Sequence, residues 1–306
     1  MRPLRAVLCS LLLLFWTPQT HAKTTAAVAR QFLQVLLVEA DLSRAYRDYA
    51  IPDFVEHNPD IGNGYAAKMA YFAARQAQTP LFPLPARWAN VIDHVIVDAD
   101  LFAVHRHVFT QPGDRGRVFV DIWRVADDKI VEHWDVIQPV PELVLNANPM
   151  WCGHGSDYVA ARALGQTLAK PTCGAPDLAA SRADSLAVVQ AYAAMLGRGE
   201  VAEAVTRFVA PNYIQHSPHI ENGLPKLTAY LSAELSGSEQ QRSVVVVDHV
   251  LAQGNLVLIH RHVTRPTDPQ GTVGLDIFRV ESGQIIEHWD VKQAVPATSA
   301  NGNTMW

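Results

Sequence analysis

Apolar and polar positions along the chain follow two rhythms, and the order of those rhythms occurs twice. Residues 26–38 carry Val28, Phe32, Val35 and Leu36 at helical spacing, and Leu186, Val189, Tyr192 and Leu196 do the same later. Shorter helices are predicted at 42–50 and 200–209, with Pro52 and Pro211 marking their ends. A further helix follows each Asn-Gly pair, near 65–77 and 225–235, and the pairs themselves (Asn63-Gly64, Asn222-Gly223) read as tight turns. The period then shortens to two. Strands are predicted near 88–98, 101–110, 117–126 and 129–138, separated by Gly- or Asp-rich turns. Helices followed by a run of antiparallel strands argue an α+β domain, in which a twisted sheet wraps helices and leaves a cone-shaped pocket.

The recurrence extends to the residues themselves. Segments 93–138 and 248–293 align without a gap, with 21 of 46 positions identical. His105-Arg106-His107-Val108 returns as His260-Arg261-His262-Val263, and Glu132-His133-Trp134-Asp135-Val136 as Glu287-His288-Trp289-Asp290-Val291. Asp121-Ile122-Trp123-Arg124-Val125 returns as Asp276-Ile277-Phe278-Arg279-Val280, and Met150-Trp151 as Met305-Trp306. Upstream, His57-Asn58-Pro59 matches His216-Ser217-Pro218 only if the first copy has an insertion, which the Pro-rich 79–85 stretch would hold. A repeat this long is a whole domain rather than a solenoid unit. The expected plan is a leader at 1–22, a domain at 24–151, a linker at 152–180 and a second domain at 181–306.

Composition narrows the function classes. The chain has 306 residues, 49% of them hydrophobic and 18% charged, which suits two ordinary globular domains. A net charge of −5 offers no basic field for nucleic acid. Arg2 and Arg5 precede an apolar run to Trp16 and then Thr20-His21-Ala22, the layout of a cleaved secretory signal. The expectation is a periplasmic or secreted protein with no membrane attachment after cleavage. Export would leave Cys152 and Cys173 in an oxidising compartment that lets them pair. No dinucleotide fingerprint, Walker motif or nucleophile elbow is present, so no cofactor is expected. Ten of the thirteen His fall into five matched pairs, so their abundance is one domain's polar set counted twice.

Side chains two apart on a strand share a face. His105 and His107 therefore go together, as do His133 and Asp135, with Asp121 beside Trp123; the second copy sorts His260 and His262, Asp276, and His288 and Asp290 in the same way. If these strands are neighbours, imidazoles and carboxylates can converge on one face, leaving Arg106, Arg124, Glu132 and Trp134 for the other. Four uses of the His/Asp face stay open. It can do acid–base work, with a carboxylate activated by an apolar pocket. It can bind metal, although no standard zinc spacing is present. It can bind a ligand without turnover, or be structural. His57 and His216 fall in loops that could border a pocket.

Tyr213-Ile214-Gln215-His216-Ser217-Pro218, Asn222-Gly223, Asp276-Ile277-Phe278-Arg279-Val280 and Glu287-His288-Trp289-Asp290 resemble the SnoaL-like branch of the nuclear transport factor 2-like superfamily. The resemblance spans both copies. It implies two tandem cones, each a curved antiparallel sheet around helices with a central pocket. It also implies cofactor-free and metal-free aldol chemistry on a small apolar carbonyl compound, with a pocket Asp as acid/base. Asp135 and Asp290 are the matching residues. On this reading His105, His107, His260 and His262 orient substrate or steady an enolate. Asp121, Asp276, His133 and His288 line the pocket, and His57 and His216 sit at its mouth. The resemblance further suggests an intrachain pseudo-dimer, with Trp134 and Trp289 near the contact. A non-catalytic binding or scaffolding module is the rival.

Overall fold

The computed structural model describes residues 23–78, 90–108, 115–152, 174–235 and 243–306. The leader, the Pro-rich insertion at 79–85, Cys173 and most of the linker lie outside these residues. Helix α1 (Thr25–Leu33) is capped by Thr24, buries Val28, Ala29, Phe32 and Leu33, and continues into a π-helical turn at Gln34–Val38. Helix α2 (Leu42–Tyr49) is capped by Asp41. At Ala50 the backbone becomes extended and strand β1 (Ala50–Glu56) begins. Helix α3 (Gly64–Gln78) and strands β2 (Asn90–Asp98), β3 (Leu101–Val108), β4 (Arg117–Ala126) and β5 (Lys129–Pro139) complete the first domain.

The second domain repeats the order. It comprises α4 (Arg182–Gly197), α5 (Val201–Phe208), β6 (Val209–Gln215), α6 (Leu224–Leu235), β7 (Val244–Gln253), β8 (Leu256–Arg265), β9 (Asp268–Glu281) and β10 (Gln284–Ala294). Each domain holds a five-stranded sheet, ordered β1-β5-β4-β3-β2 and β6-β10-β9-β8-β7. The sheets are mixed rather than purely antiparallel, because β1 and β6 pair parallel to β5 and β10. The alternating pattern hides β1 and β6, since each contains a proline (Pro52, Pro211) and reads as the end of a helix. Both are edge strands, where the missing N–H costs no ladder bond. The β4–β5 hairpin turns through Asp127 and Asp128, and the β9–β10 hairpin through Ser282 and Gly283, all at positive φ as a tight hairpin requires.

The outer faces of the two sheets share one apolar core. Ile96, Ile122, Trp134, Val136, Met150 and Trp151 pack with Leu251, Leu258, Ile277, Trp289, Val291 and Met305. Each strand at the contact meets its own counterpart. Val97 N donates to Gln253 Oε1 at 2.9 Å and Ala252 N to Asp98 Oδ2 at 2.9 Å; Ile137 N donates to Gln293 Oε1 at 2.8 Å and Lys292 N to Gln138 Oε1 at 2.8 Å. The segments after β5 and β10 cross over in the same reciprocal way. Asn146 Nδ2 donates to the carbonyls of Ser217 and Ile220, and Asn301 Nδ2 to those of Asn58 and Ile61. The repeated tryptophans then return to their own sheets, Trp151 stacking on His107 at 4.0 Å and Trp306 on His262 at 3.6 Å. Cys152 beside Trp151 is buried and disulfide-bonded.

Histidines finish this contact. His94 and His105 lie Nδ1 to Nδ1 at 2.9 Å, and His249 and His260 at 3.1 Å. His94 sets its ring against Trp289, and His249 against Trp134. Burial, with His216 and His107 nearby, pushes His105 down to about 3; burial, with His249 and His57, does the same to His260. An unfolded imidazole titrates near ~6.5. Between those values the unfolded chain binds more protons, so this stability is present above about pH 6.5 and falls as pH drops toward 3. Urea midpoints at pH 7 and pH 4.5 should show the loss. It should shrink in a His105→Gln/His260→Gln variant; an equal loss in that variant would assign it to other groups.

Candidate functional site

The concave face of each sheet follows from strand register. In the second domain Ile259 pairs with Asp276 and Asp276 with Asp290, one row across β8, β9 and β10. The next row is Arg261, Gly274 and Lys292. Ile259, Asp276, Asp290, Arg261 and Lys292 of these rows floor a cavity of about 580 Å³ walled by Tyr192, Leu196, Leu227, Leu231 and Val247, with Tyr213 and Tyr230 adding hydroxyls. Asp276 accepts from Arg261 and lies 3.1 Å from His288 Nε2. His288 Nδ1 lies 3.0 Å from Gln215 Oε1, which also accepts from Ser217 N. Both ring nitrogens of His288 therefore face acceptors. Lys292 Nζ lies 2.8 Å from Asp290 Oδ2 and 3.4 Å from Tyr230 Oη.

Charge pairing decides the protonation states here. Burial alone would raise Asp290, but the Lys292 ammonium and His288 hold it below the usual carboxylate range. Burial alone would lower Lys292, but Asp290 and Tyr230 raise it above its ordinary value. Burial works against Asp276 as well, and Arg261 and His288 overcome it, so that carboxyl is held low. Burial raises Tyr192, and Tyr213 well above the usual phenol. The cavity thus offers an ionised carboxylate and an ammonium side by side, under apolar walls.

The first domain has the same rows with different contents. Arg106 binds Asp121 at 2.7 Å and its guanidinium lies 4.3 Å over the Phe119 ring. Among the described residues of the first domain, Phe32, Tyr46, Phe54, Phe102 and Trp123 are buried and linked by ring contacts. Buried Lys68 donates to Glu56 at 2.6 Å, and His133 Nδ1 lies 2.7 Å from the same carboxylate. Burial opposes this set, but its mutual charges prevail: Glu56 is held low and His133 is raised to about 10. Asn58 Nδ2 spans both oxygens of Asp135 at 2.8 Å. Burial, reinforced by Glu56 and Asp121, pushes Asp135 up to about 6. Asp135 and Asp290 are thus not the equivalent pair that the repeat suggests.

Several expected site residues are elsewhere. His105, His107, His260 and His262 point away from the carboxylates into the contact between the sheets, because His105 pairs with Val120 while Asp121 pairs with Val104. Arg106 and Arg261 take the places expected for them on the concave face. Within-strand alternation was sound; the parity between strands needed the register. His57 and His216 are not at a pocket mouth. They stack on Trp134 and Trp289 at 4.7 and 4.8 Å, and bind Glu132 and Glu287 at 2.9 Å. Their Nδ1 atoms lie 2.6 Å from the carbonyls of Thr304 and Pro149, in the segments that cross between domains. Asp121, His133 and Asp135 do meet on one face, as do Asp276, His288 and Asp290.

Each of these trios brings ligand atoms within 4.8 Å of one another. Their carboxylates already have positive partners, Arg261 and Lys292 in one domain, and Arg106 and His133, raised to about 10, in the other. A metal cation would enter against fixed positive charges, so the donor set fits metal poorly. Lys292, Gly274, Lys68 and Glu56 escaped the sequence reading, and Arg261, expected on the opposite face from Asp276, binds it instead. Lys292 was within reach, since it lies two residues past Asp290 and must share its face.

Residues 189–288 match the model of the SnoaL-like domain family. This segment is a SnoaL-like domain. Solved structures similar to the chain include TsrD from Streptomyces laurentii, at 18% identity over 37% of this chain and 90% of that one, with a TM-score of 0.31. An LEH-like epoxide hydrolase of M. tuberculosis matches at 16% identity over 37% and 84%, with a TM-score of 0.30. A steroid delta-isomerase from Pseudomonas aeruginosa matches at 16% identity over 40% and 85%, with a TM-score of 0.31. No curated protein matches the chain.

The SnoaL-like domain also supplies a control for the first domain's buried charges, because Gln215 and Leu227 stand where Glu56 and Lys68 do. Lys68→Met alone should destabilise the first domain by about 3–5 kcal/mol, since it strips the counter-charge from a buried carboxylate. Glu56→Gln with Lys68→Leu should cost much less. Urea unfolding of the two variants checks this, and equal losses would refute it.

Proposed function

We propose that the chain is an exported protein whose second domain binds a small apolar carbonyl compound and moves a proton on it without a cofactor. The observation that carries the reading is the cavity of about 580 Å³ with Asp290 and Lys292 paired in its floor. The Asp290 carboxylate takes a proton from the carbon beside the carbonyl. Lys292 donates a hydrogen bond to the oxygen as negative charge gathers there. The proton then returns to a different carbon of the conjugated enolate, or the enolate carbon attacks a second carbonyl of the same molecule and the alkoxide so formed takes the proton back from Asp290. The first gives isomerisation and the second aldol ring closure. Tyr230 and Asp276 hold the ammonium and the floor in place.

The first domain, on this reading, is a structural partner. The two domains form an intrachain pseudo-dimer through the shared face that contains Trp134 and Trp289. Residues 1–22 act as the removed signal and 152–180 as the linker. Mass measurement of protein exported from a bacterial host is expected to give a chain beginning at Lys23; retention of the leader would refute cleavage.

Deuterium exchange beside the carbonyl of 2-tetralone, followed by NMR, tests the chemistry. Asp290→Asn should slow exchange by about 10²- to 10⁴-fold, while Asp135→Asn leaves it unchanged. Because Asp290 is held low, the wild-type rate should stay level as pH falls from 7 toward 5, whereas a rate carried by Asp135 would halve near 6. An undiminished rate in Asp290→Asn would overturn the base assignment. Binding of the ketone without exchange would favour the non-catalytic module.

A further inference from the structure

One row of the concave face differs between the domains in a way that describes the ligand. In the first domain it reads Arg106, Phe119, Ile137, and the Phe119 ring lies against the Arg106 guanidinium at 4.3 Å. In the second it reads Arg261, Gly274, Lys292. Arg261, Lys292 and the residues flanking Gly274 on its face, Thr272 and Asp276, all line the cavity. A Cβ built on Gly274 would sit 3.4 Å from the Arg261 guanidinium carbon and 3.5 and 3.6 Å from its two terminal nitrogens. Near-equal distances to the carbon and both nitrogens place that point over the flat face of the guanidinium, not at its edge. The cavity lined by these four residues therefore borders a cation that turns its flat face to the position which, in the first domain, carries an aromatic ring. Two of the three N–H groups of Lys292, on the other side of Gly274, go to Asp290 and Tyr230.

We propose that the second-domain cavity has a stacking subsite at Gly274, which takes a planar aromatic or conjugated ring over Arg261 in the place filled by Phe119 in the first domain. An oxygen on that ring accepts the third N–H of Lys292. The attraction is that of a cation for a π face, which a saturated ring of the same size does not provide. The proposal rests on the cavity being the ligand site, and it adds the class of ligand.

Calorimetric titration of the full chain with 2-naphthol and with its saturated counterpart, decahydro-2-naphthol, tests the proposal. The naphthol is expected to bind roughly tenfold more tightly. Gly274→Phe, which supplies the ring from the protein, should abolish naphthol binding with little change in melting temperature, while Gly274→Ala keeps it. Arg261→Lys keeps the charge beside Asp276 but loses the flat face, so it should level the two affinities even if Gly274→Phe fails to fold. Equal wild-type affinities would overturn the stacking subsite and leave the cavity and its proton transfer standing. Binding of neither probe would overturn both. Undiminished naphthol binding by folded Gly274→Phe would overturn the subsite alone.

Discussion

The face-to-face burial of the two sheets is the contact on which the rest of the structure depends. Each sheet has an apolar convex side that it cannot leave in water, and Trp134 and Trp289 bury their rings where the two sides meet. Histidine is well suited to the places between them. An imidazole stacks on indole like an aromatic ring and still hydrogen-bonds at its rim, as His57 does with Trp134, Glu132 and a carbonyl of the other domain. The conserved spacing within each copy thus serves a contact between copies.

With the convex faces committed to each other, the concave faces were free to differ. The frame stays constant across them: the Asp121–Asp135 row recurs as Asp276–Asp290, and an Arg binds the first Asp in both. The filling does not. The first domain has Phe119 and Lys68 where the second has Gly274 and Leu227, and Leu227 lines the second domain's cavity. A buried ammonium–carboxylate pair contributes little net stability beside an apolar core, so Lys68 and Glu56 set the shape of the first domain more than they hold it together.

Much of this was legible in the residues. The helix order, four strands per domain and the hairpin positions follow from spacing alone, as does the shared face of His133 with Asp135 and of His288 with Asp290. The parallel strands β1 and β6 did not, because a proline on an edge strand looks the same in sequence as a proline ending a helix. Nor did the destination of the His-X-His pairs. Alternation says that His105 and His107 share a face, but which residues of β4 share it depends on a register that shifts by one residue without any change in the pattern.

The sequence by itself determined the repeated α+β plan, because periodicity is a local property and duplicated residues can be compared directly. It also determined which side chains travel together on a strand. Only the tertiary structure decided which face is buried between domains and which encloses a cavity, because both faces carry mixed apolar and charged residues. It alone separated Asp290, beside Lys292 in a cavity, from Asp135, bound at both oxygens by Asn58. The two carboxylates sit in identical five-residue motifs, and their chemistry is set by side chains from distant parts of the chain.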